Sequence, residues 1–484
     1  MERIVVVSNR LPEIRSSGFV DEPDVPVGGL ASAVLGALRG HPGSIWFGWS
    51  GGIREADREP KLTARSTRGL KLLGMSLTQV EVDEHYLGYC NRTLWPLFHS
   101  FQGRVKIRLR HEASYRRVQA RFAARLHRLL RPGDLVWVHD YHLLLLGREL
   151  RQLGWTGRLG FFLHIPFPPH DLFQVLPEPR DTLEAMLHYD LVGFHVQGFL
   201  DNYVYCCARE LKGQWDGAIL RAGGRSQQVG TYPVGIDPND FLPRGAESGS
   251  AHARRILGRF LRRRSLVLGV DRLDYTKGIP ERLLAFKALI ERHERWRKRV
   301  VLLQIASPSR VGVPEYVEQR NRIEALLGRI NGELAEHDWT PIRYLYRSYN
   351  RSFLARLYRE AQVGLITPLR DGMNLIAKEF VAAQRPEAPG VLILSRCAGA
   401  AQEMEEALIV NPFVPSSVAD AIDRALDMPL EERRERHTAL LARVLSGTAV
   451  EWGQRFLADL RGSPVAVGIG PPASIEEMAG TREP

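Results

Sequence analysis

Polar side chains gather at the ends of short β-branched runs in this sequence. Asn9 and Arg10 follow IVVVS (4–8), His139 closes LVWVH (135–139) ahead of Asp140, Tyr141 and His142, and His164 lies near the end of LGFFLHI (159–165). Asp271, Arg272 and Asp274 follow LVLGV (266–270), Arg310 follows VVLLQIA (300–306), and Arg370 and Asp371 come with the end of VGLIT (363–367). One charged residue after a strand is unremarkable. Six such clusters, in both halves of the chain, point to convergent groups around a polar ligand.

Two segments carry most of the chemistry. In DRLDYTKGIPER (271–282), Arg272 offers a planar fork and Lys277 a point charge, both suited to a diphosphate. A helix is expected to begin at Gly278, so its first amides would add to the same anion site. No Walker or GxGxxG pattern is present, and a pair of surface bases is the competing explanation. In TPLRDGMNLIAKEFVAAQ (367–384), Asp371 and Gly372 form a turn and a second helix is expected near Met373 and Asn374, continuing through Leu375. Its first amides would again face an anion. Glu379, one turn beyond Leu375 on the same face, could accept from ribose hydroxyls and Asp371 from sugar hydroxyls. Equally, Asp371 could cap the helix and Glu379 pair on the surface with Lys378 or Arg370.

WFGWSGG (46–52) and NRTLWPLFH (91–99) place Trp49 and Trp95 in Gly- or Pro-containing loops, with Tyr86 and Asn91 close to Trp95 in sequence. Such rings are either core or flat walls for a sugar. The chain has no Asp-x-Asp pair, nucleophile elbow or zinc-ligand spacing, so no metal or other cofactor is expected. Cationic side chains and helix N-termini must then offset a leaving diphosphate's charge.

The elements that position these groups alternate. Strand runs, which include LVGFHV (191–196) and GVLILS (390–395), are separated by amphipathic stretches such as 112–130 and 280–299. That order predicts an α/β protein of parallel βα units. A length of 484 residues exceeds one core. TYPVGIDPNDF (231–241) marks a junction at about residue 235, giving two doubly wound Rossmann-like domains facing a central cleft, with ligands beyond the carboxyl ends of the strands. The tail 463–484, rich in Pro, Gly and small residues, is expected to be disordered. The net charge is +11, but the basic residues are spread along the chain and only eight of the 66 are lysines, so anionic small substrates are favoured over nucleic acid. No apolar run is long enough to span a bilayer. Cys90, Cys206, Cys207 and Cys397 have no metal-like spacing, and the reducing cytoplasm is the expected compartment.

Taken in order, VGGL (27–30), WFGWSG (46–51), TLWPLFH (93–99), WVHDYHL (137–143), FFLHIPFP (161–168), YPVGIDP (232–238), DRLDYTKG (271–278), QIASPSR (304–310), TPLRDGMNLIAKE (367–379) and NPF (411–413) resemble the trehalose-6-phosphate synthases. These are retaining glycosyltransferases of family 20 with the GT-B fold. The resemblance implies transfer of glucose from a nucleotide-glucose to glucose 6-phosphate. It implies acceptor contacts at Arg10, Trp49, Tyr86, Trp95, Asp140 and Arg310. On the donor side it implies Arg272 and Lys277 at the diphosphate, His164 and Asp371 at the transferred glucose, Gly372 to Leu375 at the turn, Glu379 at the ribose, and Gly28 and Gly29 in a closing glycine loop. Asp140, His164, Arg272, Lys277 and Asp371 are the implied catalytic set. The expected division is 1–235 for acceptor binding, 236–448 for nucleotide-sugar binding, and a helix at 449–462 that crosses back to the first domain.

Some matters stay open at this level. The segment GFVDEPDVPVGGL (18–30) follows no readable pattern, which leaves closure of the glycine loop undecided. The donor base is UDP by default, with GDP or ADP as alternatives. A sister transferase using glycerol 3-phosphate, and a silent sugar-phosphate sensor, are the competing functions. A homo-oligomer, dimer or tetramer, is expected, with a separate phosphatase acting downstream because no phosphatase domain follows.

Overall fold

The computed structural model describes residues 2–12, 29–38, 41–55, 62–67, 69–242 and 264–463. Gly28, with most of the 18–30 segment, and the tail from 464 onward lie outside the described residues. Among those described, one unit takes in 2–12, 37–233 and 453–463, and the other 29–36 and 234–452. The sequence expectation treated 1–235 as one block; here residues 29–36 group with the second unit.

The first unit carries a sheet of β1 (Ile4–Arg10), β2 (Ile45–Arg54), β3 (Leu62–Thr67), β4 (Leu70–Thr78), β5 (Leu135–His139), β6 (Leu159–Phe162), β7 (Leu191–Phe194), β8 (Gln214–Trp215), β9 (Ile219–Ala222) and β10 (Arg225–Thr231). Their order is β3-β4-β2-β1-β5-β6-β7-β10-β9-β8. The central pairs are parallel, and antiparallel pairing is confined to β3 on β4 and to the β8–β10 edge. β1 is buried from Ile4 to Asn9 and only Arg10 is exposed. Helices on both faces demand such continuous apolar runs. The edge strands escape a sequence reading because their short polar segments, such as LTARST, lack that signature.

One sequence expectation is corrected here. WFGWSGG is not a loop but the body of β2, so Trp49 stands on a strand. Gly48 reflects close packing, since a Cβ there would lie 2.5 Å from the Ser8 carbonyl oxygen of β1, whereas Gly51 is set by its positive φ of 83°. Glycine inside a strand marks such an approach rather than a turn. Trp95 likewise begins a short helix, Trp95–Phe98, that continues a π-helical segment, Val82–Leu94.

The second unit has a parallel sheet of β11 (Ser265–Arg272), β12 (Val300–Ser307), β13 (Ile342–Leu345), β14 (Val363–Ile366), β15 (Val391–Ser395) and β16 (Leu408–Val410). Its order, β13-β12-β11-β14-β15-β16, reverses direction between β11 and β14. That is a doubly wound sheet, whose ligands sit beyond the carboxyl ends of the strands at the reversal. The parallel part of the first sheet reverses in the same way between β1 and β5.

The last helix, Ala449–Gly462, places Phe456, Leu457 and Leu460 in the core of the first unit. Phe456 stacks on Trp137 with ring centroids 4.9 Å apart. Burial of such a ring contributes roughly 1.5–3 kcal/mol. Among the described residues no helix is long and apolar enough to cross a membrane.

Candidate active site

In the first unit the polar groups lie where β1 and β5 diverge. Arg10 pairs in register with Trp49 and holds its guanidinium 5.4 Å from the centre of that ring. Trp49 approaches Tyr86 at 5.9 Å, Tyr86 stacks on His142 at 5.9 Å, and Tyr141 packs against both His142 and Trp95. Arg10, Trp49, Tyr86 and Trp95 are thus linked through aromatic contacts, although they come from four places in the sequence. Asn91 braces the set: its amide donates to the Tyr86 carbonyl at 2.8 Å and its oxygen accepts from the Tyr141 hydroxyl at 3.1 Å. The indoles of Trp49 and Trp95 are both buried.

Asp140 follows β5 in the left-handed region, φ 75°, and its carboxylate accepts the His164 backbone N–H at 3.2 Å. The His164 imidazole meets His139 Nδ1 at 3.0 Å, and its carbonyl faces His195 Nε2 at 3.2 Å. Burial pushes His139 down to about 3. Burial, reinforced by His139 and His195, pushes His164 well below the ordinary histidine range. His164 is therefore a neutral hydrogen-bonding group, not a cation. Gly29 heads the helix Gly29–Ala37 in the grouping of the second unit.

In the second unit the two chemistry-bearing segments meet at the β11/β14 reversal. Arg272 is the exposed last residue of β11. Gly278 caps the helix Ile279–Arg292 at φ 64°. The Lys277 ammonium ion-pairs with Asp371, whose carboxylate also accepts from the Asn374 amide at 3.0 Å. The backbones are joined as well, since the Leu369 N–H donates to the Thr276 carbonyl at 2.8 Å. Arg310 follows β12 and donates to Asp274 at 3.2 Å.

The helix of the second segment spans Leu375–Ala383, one or two residues later than Met373 and Asn374 suggest, because Asn374 sits at φ 78°. Asn374 is the cap, so Asp371 is not held by capping. Glu379 does not pair with Lys378, which reaches the Val234 carbonyl and Glu403 instead. Glu379 accepts the Tyr358 hydroxyl at 3.1 Å, and burial raises its carboxyl above the ordinary range. Met373 is buried and Gly372 lies under the chain at Gly399.

Several supporting residues escape sequence reasoning. Arg282 is fully buried, paired with Asp271, and bonded to Gln304 at 2.8 Å and Thr367 at 3.1 Å. A signal existed: Arg282 occupies the apolar stripe of Ile279, Leu283 and Phe286, where a charge needs a buried partner. Tyr358 and Tyr316 carry no such signal, because buried tyrosines are ordinary core residues.

Two doubly wound units with polar groups at their strand ends are the architecture of the GT-B glycosyltransferases. The chain matches the Glycosyltransferase family 20 description over residues 2–462. It is similar to the trehalose-6-phosphate synthase of Sinorhizobium fredii, 43% identical over 464 residues covering 96% of this chain and 99% of that one. A Burkholderia xenovorans alpha,alpha-trehalose-phosphate synthase (UDP-forming), solved in complex with glucose-6-phosphate, is 41% identical with a TM-score of 0.88, covering 95% of this chain and 100% of its own. An E. coli structure bound with UDP-2-fluoro glucose is 39% identical with a TM-score of 0.89, covering 96% and 100%. This chain belongs to glycosyltransferase family 20.

Proposed function

We propose that this chain transfers glucose from UDP-glucose to the C1 hydroxyl of glucose 6-phosphate, releasing UDP and forming α,α-trehalose 6-phosphate with retained configuration. The observation that carries this reading is the meeting of Lys277, Asp371 and the Leu375 helix at the β11/β14 reversal, beside the exposed end of β11 at Arg272. A cation, a sugar-hydroxyl acceptor and a helix N-terminus within one reversal suit a nucleotide sugar.

Arg272 and Lys277 would hold the diphosphate and stabilise its growing charge as the glycosidic bond breaks. Asp371 and neutral His164 would orient the transferred glucose, and Glu379 would take the ribose hydroxyls. Arg10 and Arg310 would hold the acceptor's phosphate, with Trp49, Tyr86, Trp95 and Asp140 around its ring. The acceptor hydroxyl approaches the face that the diphosphate leaves, and its proton passes to a leaving phosphate oxygen. No metal ion is required in this scheme, because the donor charge is met by side chains and helix amides. The product keeps its phosphate, so a phosphatase would act after it.

A product assay with glucose 6-phosphate and UDP-, GDP- and ADP-glucose, run in EDTA, tests the reading. α,α-Trehalose 6-phosphate from UDP-glucose supports it whole. Turnover with glycerol 3-phosphate but not with glucose 6-phosphate overturns the acceptor assignment, and loss of turnover in EDTA overturns metal independence. Binding of both sugar phosphates without any turnover overturns the enzyme reading in favour of a sensor.

A further inference from the structure

Asp274 is wholly buried, yet nothing in the scheme above uses it. Its two oxygens face different ways. Oδ1 accepts the Thr276 N–H at 3.0 Å and so shapes the turn that presents Lys277. Oδ2 accepts Arg310 Nη1 at 3.2 Å and the Tyr316 hydroxyl at 3.1 Å. Tyr316, from the helix Pro314–Leu334, also contacts Arg310 Nη1 through its hydroxyl and lies 5.3 Å beneath the guanidinium with its ring. Arg310 itself is held at φ 46°, a conformation costly for a residue with a Cβ. Burial alone would raise the Asp274 carboxyl, but Arg310, Arg272 and Lys277 hold it below its ordinary range. It therefore stays charged at neutral pH.

We propose that Asp274 and Tyr316 are positioning residues that orient Arg310 toward the acceptor's phosphate, and that Asp274 also sets the diphosphate turn. This rests on the reading of Arg310 as a ligand of that phosphate. A long arginine loses much side-chain freedom when it binds an anion. A buried carboxylate and a hydroxyl that hold it in advance remove that cost, which makes the chain selective for phosphorylated acceptors. The two residues differ in reach. The Tyr316 hydroxyl touches Arg310 and Asp274, and its ring meets Tyr275 of the turn at 5.5 Å, a contact that Tyr316→Phe keeps, whereas Asp274 also accepts the Thr276 N–H.

The experiment is steady-state kinetics of Tyr316→Phe, Asp274→Asn and Arg310→Ala with varied glucose 6-phosphate and varied UDP-glucose. Melting curves would be recorded for each. Tyr316→Phe is expected to raise KM for glucose 6-phosphate about tenfold, the scale of a hydrogen bond to a charged group, and to leave KM for UDP-glucose unchanged. Asp274→Asn is expected to raise both. Adding Tyr316→Phe to Arg310→Ala should change KM for glucose 6-phosphate no further, because the residue it positions is gone. If Arg310→Ala raises that KM and neither other variant does, the positioning role is wrong while the reading of Arg310 stands. If Arg310→Ala leaves it unchanged, the reading of Arg310 falls and the proposal with it. A uniform loss of kcat in Tyr316→Phe with both KM values intact also overturns the proposal. Should Asp274→Asn fail to fold, Tyr316→Phe, which removes one oxygen, still decides it.

Discussion

Lys277 and Arg272 differ in what each can offer a diphosphate. The ammonium of Lys277 is anchored by Asp371, so it is a placed point charge; Arg272 stands exposed at a strand end with a fork of donors. Removal of a donor that stabilises developing charge costs about 2.7–4 kcal/mol of transition-state stabilisation. Lys277→Ala and Arg272→Ala should each lower kcat about a hundredfold or more, a change that radiolabelled-donor turnover resolves easily. Unaltered turnover would remove either residue from the catalytic set. Glu379 tests a different kind of contact. Its carboxylate leans on Tyr358, so Tyr358→Phe should raise KM for UDP-glucose about tenfold while kcat stays close to wild type, as expected when a single buried hydrogen bond to a charged group is lost.

At the scale of elements, the Asp371 turn depends on a neighbouring loop that has no chemistry of its own. The Asp371 N–H donates to the Cys397 carbonyl at 3.1 Å, and the Ala400 N–H to the Met373 carbonyl at 2.9 Å. A Cβ at Gly399 would lie 2.0 Å from the Gly372 carbonyl oxygen. Gly399→Ala must therefore push the turn away from β11, or push its own loop outward. The expected result is a loss of about 1–3 kcal/mol in chemical denaturation, with weaker UDP-glucose binding by calorimetry. Stability lost without any change in donor affinity would mean that the loop, not the turn, gives way.

Across the whole molecule, the buried histidines set the response to acid. His85 and His139 have folded values of about 3 against 6.5 for the open side chain, and His164 is also lowered well below 6.5. A base whose folded value is depressed takes up its proton more readily when the chain unfolds. Stability is therefore fully present above 6.5 and is lost as pH falls from there toward about 3. Melting temperatures should be level between about pH 7 and 8 and drop steadily below about 6.5. His139→Asn, compared with wild type, should flatten part of that drop; an identical slope would show that His139 is not kept neutral by the fold.

Hydrophobic periodicity, legible along the chain, carries much of the architecture. Continuous apolar runs such as IVVVS and LVWVH leave little choice but a parallel sheet covered on both faces, and the polar residues that end them fall on the ligand side by topology alone. Arg10, Asp140, Arg272 and Asp371 were legible for that reason. Which distant groups share a contact emerges from the folded chain alone, since hydrogen-bonded and aromatic pairs far apart in sequence leave no periodic trace. The pairing of Lys277 with Asp371, of Glu379 with Tyr358, and of Arg310 with Asp274 and Tyr316 are such cases. The glycines of β2 read as a loop for the same reason: the strand that presses on Gly48 is dozens of residues away, and only packing reveals it.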